Sequence, residues 1–289
     1  MSLFTSSTSQ AVAMISLKSA RRFSKVLNVE WADGFRANFS YVWLRDSADR
    51  TALVHLELTP KPEAVDINAD RLLLKWPQYV SSQFSSEFLR SHSTIKPMIS
   101  EPESASEYPV SLNWHIVHAD SMPIGNCMGS IQWGANFEEI GTVWPHFEKI
   151  ASMCAVESLN PSENARLYLV DSFNAVEEMA ATHPEEFNFL CNCSLQYQDG
   201  PFAAAHKIVR MVDNKITSII FNNVSRSAEV PSENVEKFYS SLQLMGRFLW
   251  RNASLIELRP HERLVVNNHR VMVGAPAQYG RRLRVQLSC

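Results

Sequence analysis

Glycine is scarce in this chain, with nine residues in 289 against an average of about 7% in proteins. None of the nine falls into a GxGxxG or GxxxxGK pattern, which excludes the glycine loops that cradle nucleotide phosphates. Long apolar runs are also missing. Leu72-Leu73-Leu74 and Ile219-Ile220-Phe221 are typical of what there is, far short of the ~20 residues that a membrane-spanning helix needs. No sign of charge dominates: 27 Lys and Arg face 30 Asp and Glu, for a net charge of −3. The chain therefore has neither a nucleic-acid footprint nor a basic membrane face. CxxC pairs are absent, and the five cysteines (Cys127, Cys154, Cys191, Cys193, Cys289) are an odd number. A disulfide framework is not expected, and a reducing compartment is the default. Cys191-Asn192-Cys193 would make half a zinc site but has no second ligand pair, so it reads as free thiols buried at the end of a helix.

Acidic residues are missing before Glu30, while Lys18, Arg21, Arg22 and Lys25 stand among many serines and threonines. That is the composition of a mitochondrial transit peptide. Arg21-Arg22-Phe23-Ser24 resembles a matrix-processing site with cleavage after Phe23. Residues 1–28 are thus expected to be a leader, and the chain is otherwise expected in the cytoplasm.

Residues 29–92 read as a small β-rich domain. Phe35, Ala37, Phe39 and Tyr41 alternate with polar residues, as a half-buried strand requires. Val65, Ile67 and Leu72 to Trp76 read as further strands around an Asn68-Ala69-Asp70 turn, and Phe84, Phe88 and Leu89 mark a short helix. Residues 93–110, rich in Ser, Pro and Glu, read as a linker. Residues 111–289 mix strands and helices. Asp171 or Ser172 caps a helix through Met179, and Pro184 opens another. His206 to Met211 and Lys215 to Phe221 form a hairpin at Asp213-Asn214. From Pro231, apolar residues at Val235, Phe238, Tyr239, Leu242 and Met245 keep helical spacing. Strands are expected at 254–258, 264–268 and 282–288.

These residues carry a resemblance. Trp31-Ala32-Asp33-Gly34, Trp43-Leu44-Arg45-Asp46 and Trp76-Pro77 resemble the amino-terminal module of the γ-butyrobetaine and trimethyllysine hydroxylases, the TauD-like oxygenases of carnitine synthesis. Trp114 to Pro123, Val170-Asp171-Ser172-Phe173, Pro184-Glu185-Glu186-Phe187, His206-Lys207, Phe221-Asn222-Asn223 with Arg226, and Asn267 to Gly274 follow in the family's order. The resemblance implies a mixed α/β, mainly β fold: a double-stranded β-helix (jelly-roll) core with flanking helices, plus the small β-rich domain. It also implies Fe(II) held by two histidines and a carboxylate, with open positions for 2-oxoglutarate and O₂. An arginine pairs with the distal carboxylate of 2-oxoglutarate, and an aromatic cage holds a trimethylammonium substrate.

Against that pattern the metal ligands are missing. The distal histidine slot is Val273. The best match to the proximal H-x-D is Gly141-Thr142-Val143 before Trp144-Pro145, with family residues absent upstream. A missing exon would explain that gap but not Val273. Neither Gly141, Val143 nor Val273 offers a lone pair. His118, Asp120 and His269 are an alternative ligand set, but His269 is four residues from Val273, about 13 Å along a strand, against metal bonds of ~2 Å. Arg281 stands at the 2-oxoglutarate arginine position, Trp133 and Phe137 at two cage positions, and Asn222 and Asn223 at substrate-pocket positions, while Leu287 replaces another cage residue. Ser47 and Val80 stand where some relatives bind zinc, so no zinc is expected. The leader-like start and the short spacing from Val273 to Arg281 lean toward the trimethyllysine branch.

The chain is therefore expected to be a catalytically impaired relative of these hydroxylases. Two alternatives stay open: an active oxygenase with displaced ligands, and a non-catalytic subunit, homodimeric or paired with an active paralogue.

Overall fold

A computed structural model describes residues 15–94, 114–118, 128–131, 139–158, 164–230, 233–276 and 283–288. The fold is mixed α/β and mostly strands, all paired antiparallel. It divides into two units. One comprises Met1–Thr51, His55–Lys96 and Ala228–Ser240; the other comprises Ala52–Val54, Pro97–Ser227 and Ser241–Cys289.

The first unit carries two three-stranded sheets. β1 (Leu17–Arg22), β2 (Val26–Trp31) and β3 (Arg36–Ser40) form one, in chain order, and α1 (Tyr41–Ala48) follows directly. β3 buries alternate residues, Ala37 and Phe39, as the pleat dictates. The β2–β3 turn uses Gly34 at φ 86°, where any other residue would be strained. Tyr41, which continues the apolar alternation, opens α1 instead of extending β3. There its ring is buried and its hydroxyl donates to the Phe23 carbonyl at 3.0 Å. β4 (Ala64–Ile67), β5 (Arg71–Lys75) and β6 (Ser81–Ser85) form the second sheet, followed by α2 (Ser86–Ser91). Two buried indoles are satisfied by hydroxyls: Trp31 Nε1 donates to Ser86 Oγ at 2.9 Å and Trp76 Nε1 to Ser82 Oγ at 2.8 Å. The segment before Ser240 belongs here through Tyr239, whose hydroxyl donates to the buried Asp46 at 2.9 Å. Ser47 lies on α1, and Val80 closes the β5–β6 turn by accepting from Trp76 N.

β1 lies inside the range expected as a leader. It pairs with β2 from Leu17↔Trp31 to Arg22↔Leu27, so cleavage after Phe23 would strip a strand from this sheet. The expected linker is outside the described residues apart from 93–94.

The second unit holds two larger sheets. β7 (Trp114–His118), β8 (Met128–Ile131), β10 (Met153–Ser158), β17 (Glu262–Asn267) and β19 (Leu283–Ser288) are ordered β7-β17-β10-β19-β8. β9 (Glu139–Gly141), β11 (Ala165–Asp171), β16 (Ser254–Leu258) and β18 (Val271–Ala275) are ordered β16-β11-β18-β9. The sheets share one apolar core. Cys154 and Val156 of β10 and Leu264 and Val266 of β17 meet Leu167 and Leu169 of β11 and Val271 and Val273 of β18. Each of these larger aliphatic side chains contributes about 1.5–3 kcal/mol of burial. Between the sheet-forming segments lie α3 (Ser172–Thr182), α4 (Pro184–Cys191), the hairpin of β12 (Ser194–Asp199) and β13 (Phe202–Lys207), and the hairpin of β14 (Val209–Val212) and β15 (Lys215–Ile219). Helix α5 (Val235–Arg251) starts behind Asn234, whose side chain caps Lys237 N at 2.9 Å. The run read as one strand from His206 breaks at Ile208, which sits between β13 and β14 and donates to the Cys193 carbonyl. Cys191 ends α4, and burial pushes the Cys193 thiol up to about 11.

Candidate functional site

Strand β18 runs between β11 and β9, and its register sets Val273 directly opposite Gly141, with Gly274 opposite Ile140. Val273 is also opposite Leu169 on its other side. Val143, two residues beyond Gly141, lies in the same apolar core as Val273. Strand pairing thus brings together Gly141 and Val273, two of the positions assigned by resemblance to metal ligands and far apart in sequence, with the third, Val143, in the same core. What they present is a hydrogen atom and two buried isopropyl groups.

Room for anything larger is missing at one of them. A Cβ on Gly141 would stand 2.9 Å from the Phe221 carbonyl oxygen and 3.0 Å from Asn222 Cα. Backbone of the 221–222 segment fills the space where a ligand side chain would start. That close approach is itself bonded. Thr142 N donates to the Phe221 carbonyl at 2.7 Å, and Phe221 N donates back to Thr142 Oγ1 at 3.0 Å. Asn222 Nδ2 donates to the Thr142 carbonyl at 3.0 Å. Val143 is held from the other side by buried Asn268, whose Oδ1 accepts from Val143 N at 2.9 Å and whose Nδ2 donates to Val143 O at 3.0 Å. Every one of these groups is buried or nearly so, and pairing them avoids a penalty of about 1–3 kcal/mol each.

A buried polar chain flanks the pair. Asn223 Nδ2 donates to Glu139 Oε2 at 3.1 Å, and Arg226 Nε donates to Asn223 Oδ1 at 2.9 Å. All three side chains are buried, and a carboxylate and a guanidinium bridged by an amide satisfy the rule that buried charge is compensated. Tyr197 lies beside them, pairing with Arg226 through a backbone bridge and donating its hydroxyl to the Ile220 carbonyl at 2.9 Å. Burial raises its phenol well above the usual range. Asn222 and Asn223, named as substrate-pocket positions, therefore serve as internal clamps in this structure.

The donor chemistry at the convergence point does not fit Fe(II). Glycine and valine have no lone pair to give, and among the described residues no group of three or more His, Cys, Asp or Glu is placed to hold a metal ion. The alternative ligand set is not brought together along the backbone. His118 pairs with Glu262 at one end of β17, while His269 follows the other end at Asn267, about 17 Å of strand away. His269 engages Ser218 Oγ at 3.0 Å through Nδ1. Asp120, Trp133, Phe137 and Arg281 lie outside the described residues.

Two histidines that sequence reasoning did not single out as functional stand nearby. His146 is only 5% exposed, its Nδ1 has no hydrogen-bond partner among the described residues, and its ring lies 4.6 Å from Phe147 and 6.3 Å from the exposed Phe202. Burial lowers its pKa below the usual imidazole value, opposed in part by Asp199. His206 is buried with Nε2 2.8 Å from the Phe147 carbonyl. The signal for His146 is local: a histidine in Trp144-Pro145-His146-Phe147, directly after the Gly141–Val143 segment.

Solved structures similar to the chain are iron- and 2-oxoglutarate-type oxygenases. A taurine dioxygenase from Burkholderia xenovorans matches with a TM-score of 0.43 and 11% identity over 55% of this chain and 63% of that one. An asparagine oxygenase in complex with Fe(II), hydroxyasparagine and succinate matches with a TM-score of 0.43 and 13% identity over 55% of this chain and 56% of that one. PvcB, an Fe, α-ketoglutarate-dependent oxygenase of an isonitrile synthetic pathway, matches with a TM-score of 0.40 and 14% identity over 55% of this chain and 62% of that one. The chain thus spans less than two thirds of the length of each. No protein-family model and no curated protein matches it.

Proposed function

We propose that this chain is a degenerate relative of the Fe(II)- and 2-oxoglutarate-dependent oxygenases, of the trimethyllysine and γ-butyrobetaine hydroxylase type, in which the metal position has become apolar core. In this reading its two large sheets are the halves of a double-stranded β-helix, and the chain does not hydroxylate. The observation that carries it is the Gly141–Val273 register pair with Val143 in the same core. Positions from two motifs far apart in sequence come to one strand pair and one core, and none supplies a donor. A non-catalytic role in an assembly is what remains, as a homodimer or beside an active paralogue.

Metal analysis tests it. The full chain reconstituted anaerobically with Fe(II) is expected to hold far less than one equivalent after desalting. Iron near one equivalent, lost on His118→Ala, would overturn the reading in favour of displaced ligands. Restoring the motif with Gly141→His, Val143→Asp and Val273→His is expected not to restore 2-oxoglutarate turnover, because the Phe221–Asn222 backbone occupies the space of the first ligand. Efficient hydroxylation of trimethyllysine by that variant would show an intact scaffold.

A further inference from the structure

The hairpin of β12 and β13 is firm at its base and lightly held at its tip. Near the base, β12 is tied to the 225–227 segment. Gln198 N donates to the Ser225 carbonyl at 2.9 Å, and Ser227 N donates to the Gln196 carbonyl at 2.7 Å. β13 pairs with no strand but β12 among the described residues. At the tip, Asp199, Gly200, Pro201, Phe202 and Ala203 are all exposed, and Gly200 turns the chain at φ 56°. The apolar anchor there is Phe202. Its ring meets Phe147 edge-on at 5.4 Å and 67°, and it covers His146 at 6.3 Å and 32°. The cover is thin, since Phe202 is itself 53% exposed.

His146 is the titratable group beneath that cover. A neutral imidazole suits contact with two phenyl rings. An imidazolium in the same place gives up hydration that the rings replace only in part. Several charged or titratable groups surround it on the described elements. On the hairpin, Asp199 at the tip attracts a proton to His146 through space without bonding Nδ1. Lys207 is exposed at the base, and buried His206 spends Nε2 on the Phe147 carbonyl. On its own segment, Glu148 and Lys149 are exposed and of opposite sign.

We infer that the Phe202 tip is an acid-released latch. Protonation of His146 lets Phe202 leave Phe147, and the last two pairs of the hairpin, Gln198–Ala203 and Asp199–Phe202, fray. Water then reaches the imidazolium, and the aromatic face of Phe147 is bared. Linkage fixes the direction and the ceiling. With the tip open, His146 titrates near its ordinary 6.5; with the tip shut, burial holds it lower. The open form therefore binds the proton more tightly and gains as pH falls through that value. Between pH 7.5 and 5.5 the opening equilibrium can rise by at most about tenfold.

Hydrogen exchange of the full chain at pH 7.5 and 5.5, corrected for the intrinsic pH dependence of amide exchange, tests the latch. Opening of the hydrogen-bonded amides among residues 199–204 is expected to rise about three- to tenfold at the lower pH. The amide of Ser227, at the base, is expected to stay level. His146→Phe keeps an aromatic ring but cannot titrate, and it is expected to abolish the rise. Phe202→Ala changes only an exposed tip residue. It is expected to leave the tip amides open at both pH values with little difference between them. No rise in the natural chain, or the same rise in His146→Phe, would overturn the proposal. An equal rise at Ser227 would also overturn it, by showing a general loss of stability in place of a local release.

Discussion

Asn268 replaces a missing strand neighbour for Val143, meeting both of that residue's backbone polar atoms with one side chain. Removing it by Asn268→Ala leaves a buried N–H and a buried C=O without partners. At about 1–3 kcal/mol for each orphaned group, the loss is expected to be about 2–5 kcal/mol in urea unfolding. Asn268→Asp keeps the acceptor but loses the donor and buries a charge, so it is expected to be at least as damaging. A loss below about 1 kcal/mol for both variants would mean that water reaches Val143 and that the clamp is not structural.

The glycines of this region are expected to be intolerant in a graded way. A methyl at Gly274 would run into the Glu139 carbonyl oxygen, and one at Gly141 into that of Phe221. Gly141→Ala and Gly274→Ala are each expected to cost about 1–3 kcal/mol through forced backbone shifts, Gly274→Ala more than Gly141→Ala. Gly246, inside α5, is the control. Its added Cβ would rest 3.5 Å from Leu53 Cβ, an ordinary contact, and Gly246→Ala is expected to stabilise by about 0.5–1 kcal/mol. Thermal unfolding of the three variants checks the order, and an unaffected Gly274→Ala would refute the close approach.

Stability is expected to fall on mild acidification because of His146. Burial depresses its folded pKa below 6.5, with Asp199 pulling the other way. The unfolded chain therefore takes up a proton as pH drops below about 6.5 while the folded chain resists it, and proton uptake by the unfolded state favours unfolding. The contribution is complete above that pH and is lost progressively below it. His146→Phe, which suits the neighbouring Phe147 and Phe202 rings, is expected to flatten the dependence of unfolding free energy on pH between about 5 and 7. An identical slope in the variant would assign the effect elsewhere.

The leader reading and β1 make opposing demands on residues 17–22. A reporter fused to residues 1–29 is expected to enter mitochondria, and Arg21→Glu with Arg22→Glu to hold it in the cytosol. A cytosolic wild-type fusion would remove the targeting idea. Independently, a chain starting at Ser24 loses β1 and with it the buried Leu17 and the Lys18–Glu30 ion pair at 2.7 Å. It is expected to be less stable than the full chain by about 2 kcal/mol, chiefly from the leucine. Equal melting temperatures would show that β1 adds nothing.

Local signals were the readable part of this chain. The Asp213-Asn214 hairpin is legible because these residues tolerate the left-handed region, and they adopt φ 49° and 60°. The amphipathic stripe of α5 and the N-cap at Asp171, which accepts from Asn174 N, are legible for the same reason: cause and consequence lie within a few residues. β1 was hidden because its residues are polar and basic on the exposed side, and a leader and an edge strand share that composition. At the site, Gly141 and Val273 could be named from motifs. Their adjacency could not, because register between β9 and β18 is set by packing across more than a hundred residues of intervening chain. Asn268 was read only as part of a motif, since nothing near it in sequence reveals that its amide would be spent on Val143.

The strand order of the second unit has a consequence for biosynthesis. β10 lies between β17 and β19, and β11 between β16 and β18, so both are interior strands whose four neighbours are all made from residue 254 onward. A ribosome that has translated through α5 therefore holds a nascent chain with β10 and β11 bare on both edges. Pairings of this sequence separation are slow to form, and unpaired apolar strands are sticky while they wait. Residues 153–158 and 165–171 therefore stay without their strand partners until the last segments of the chain have been made.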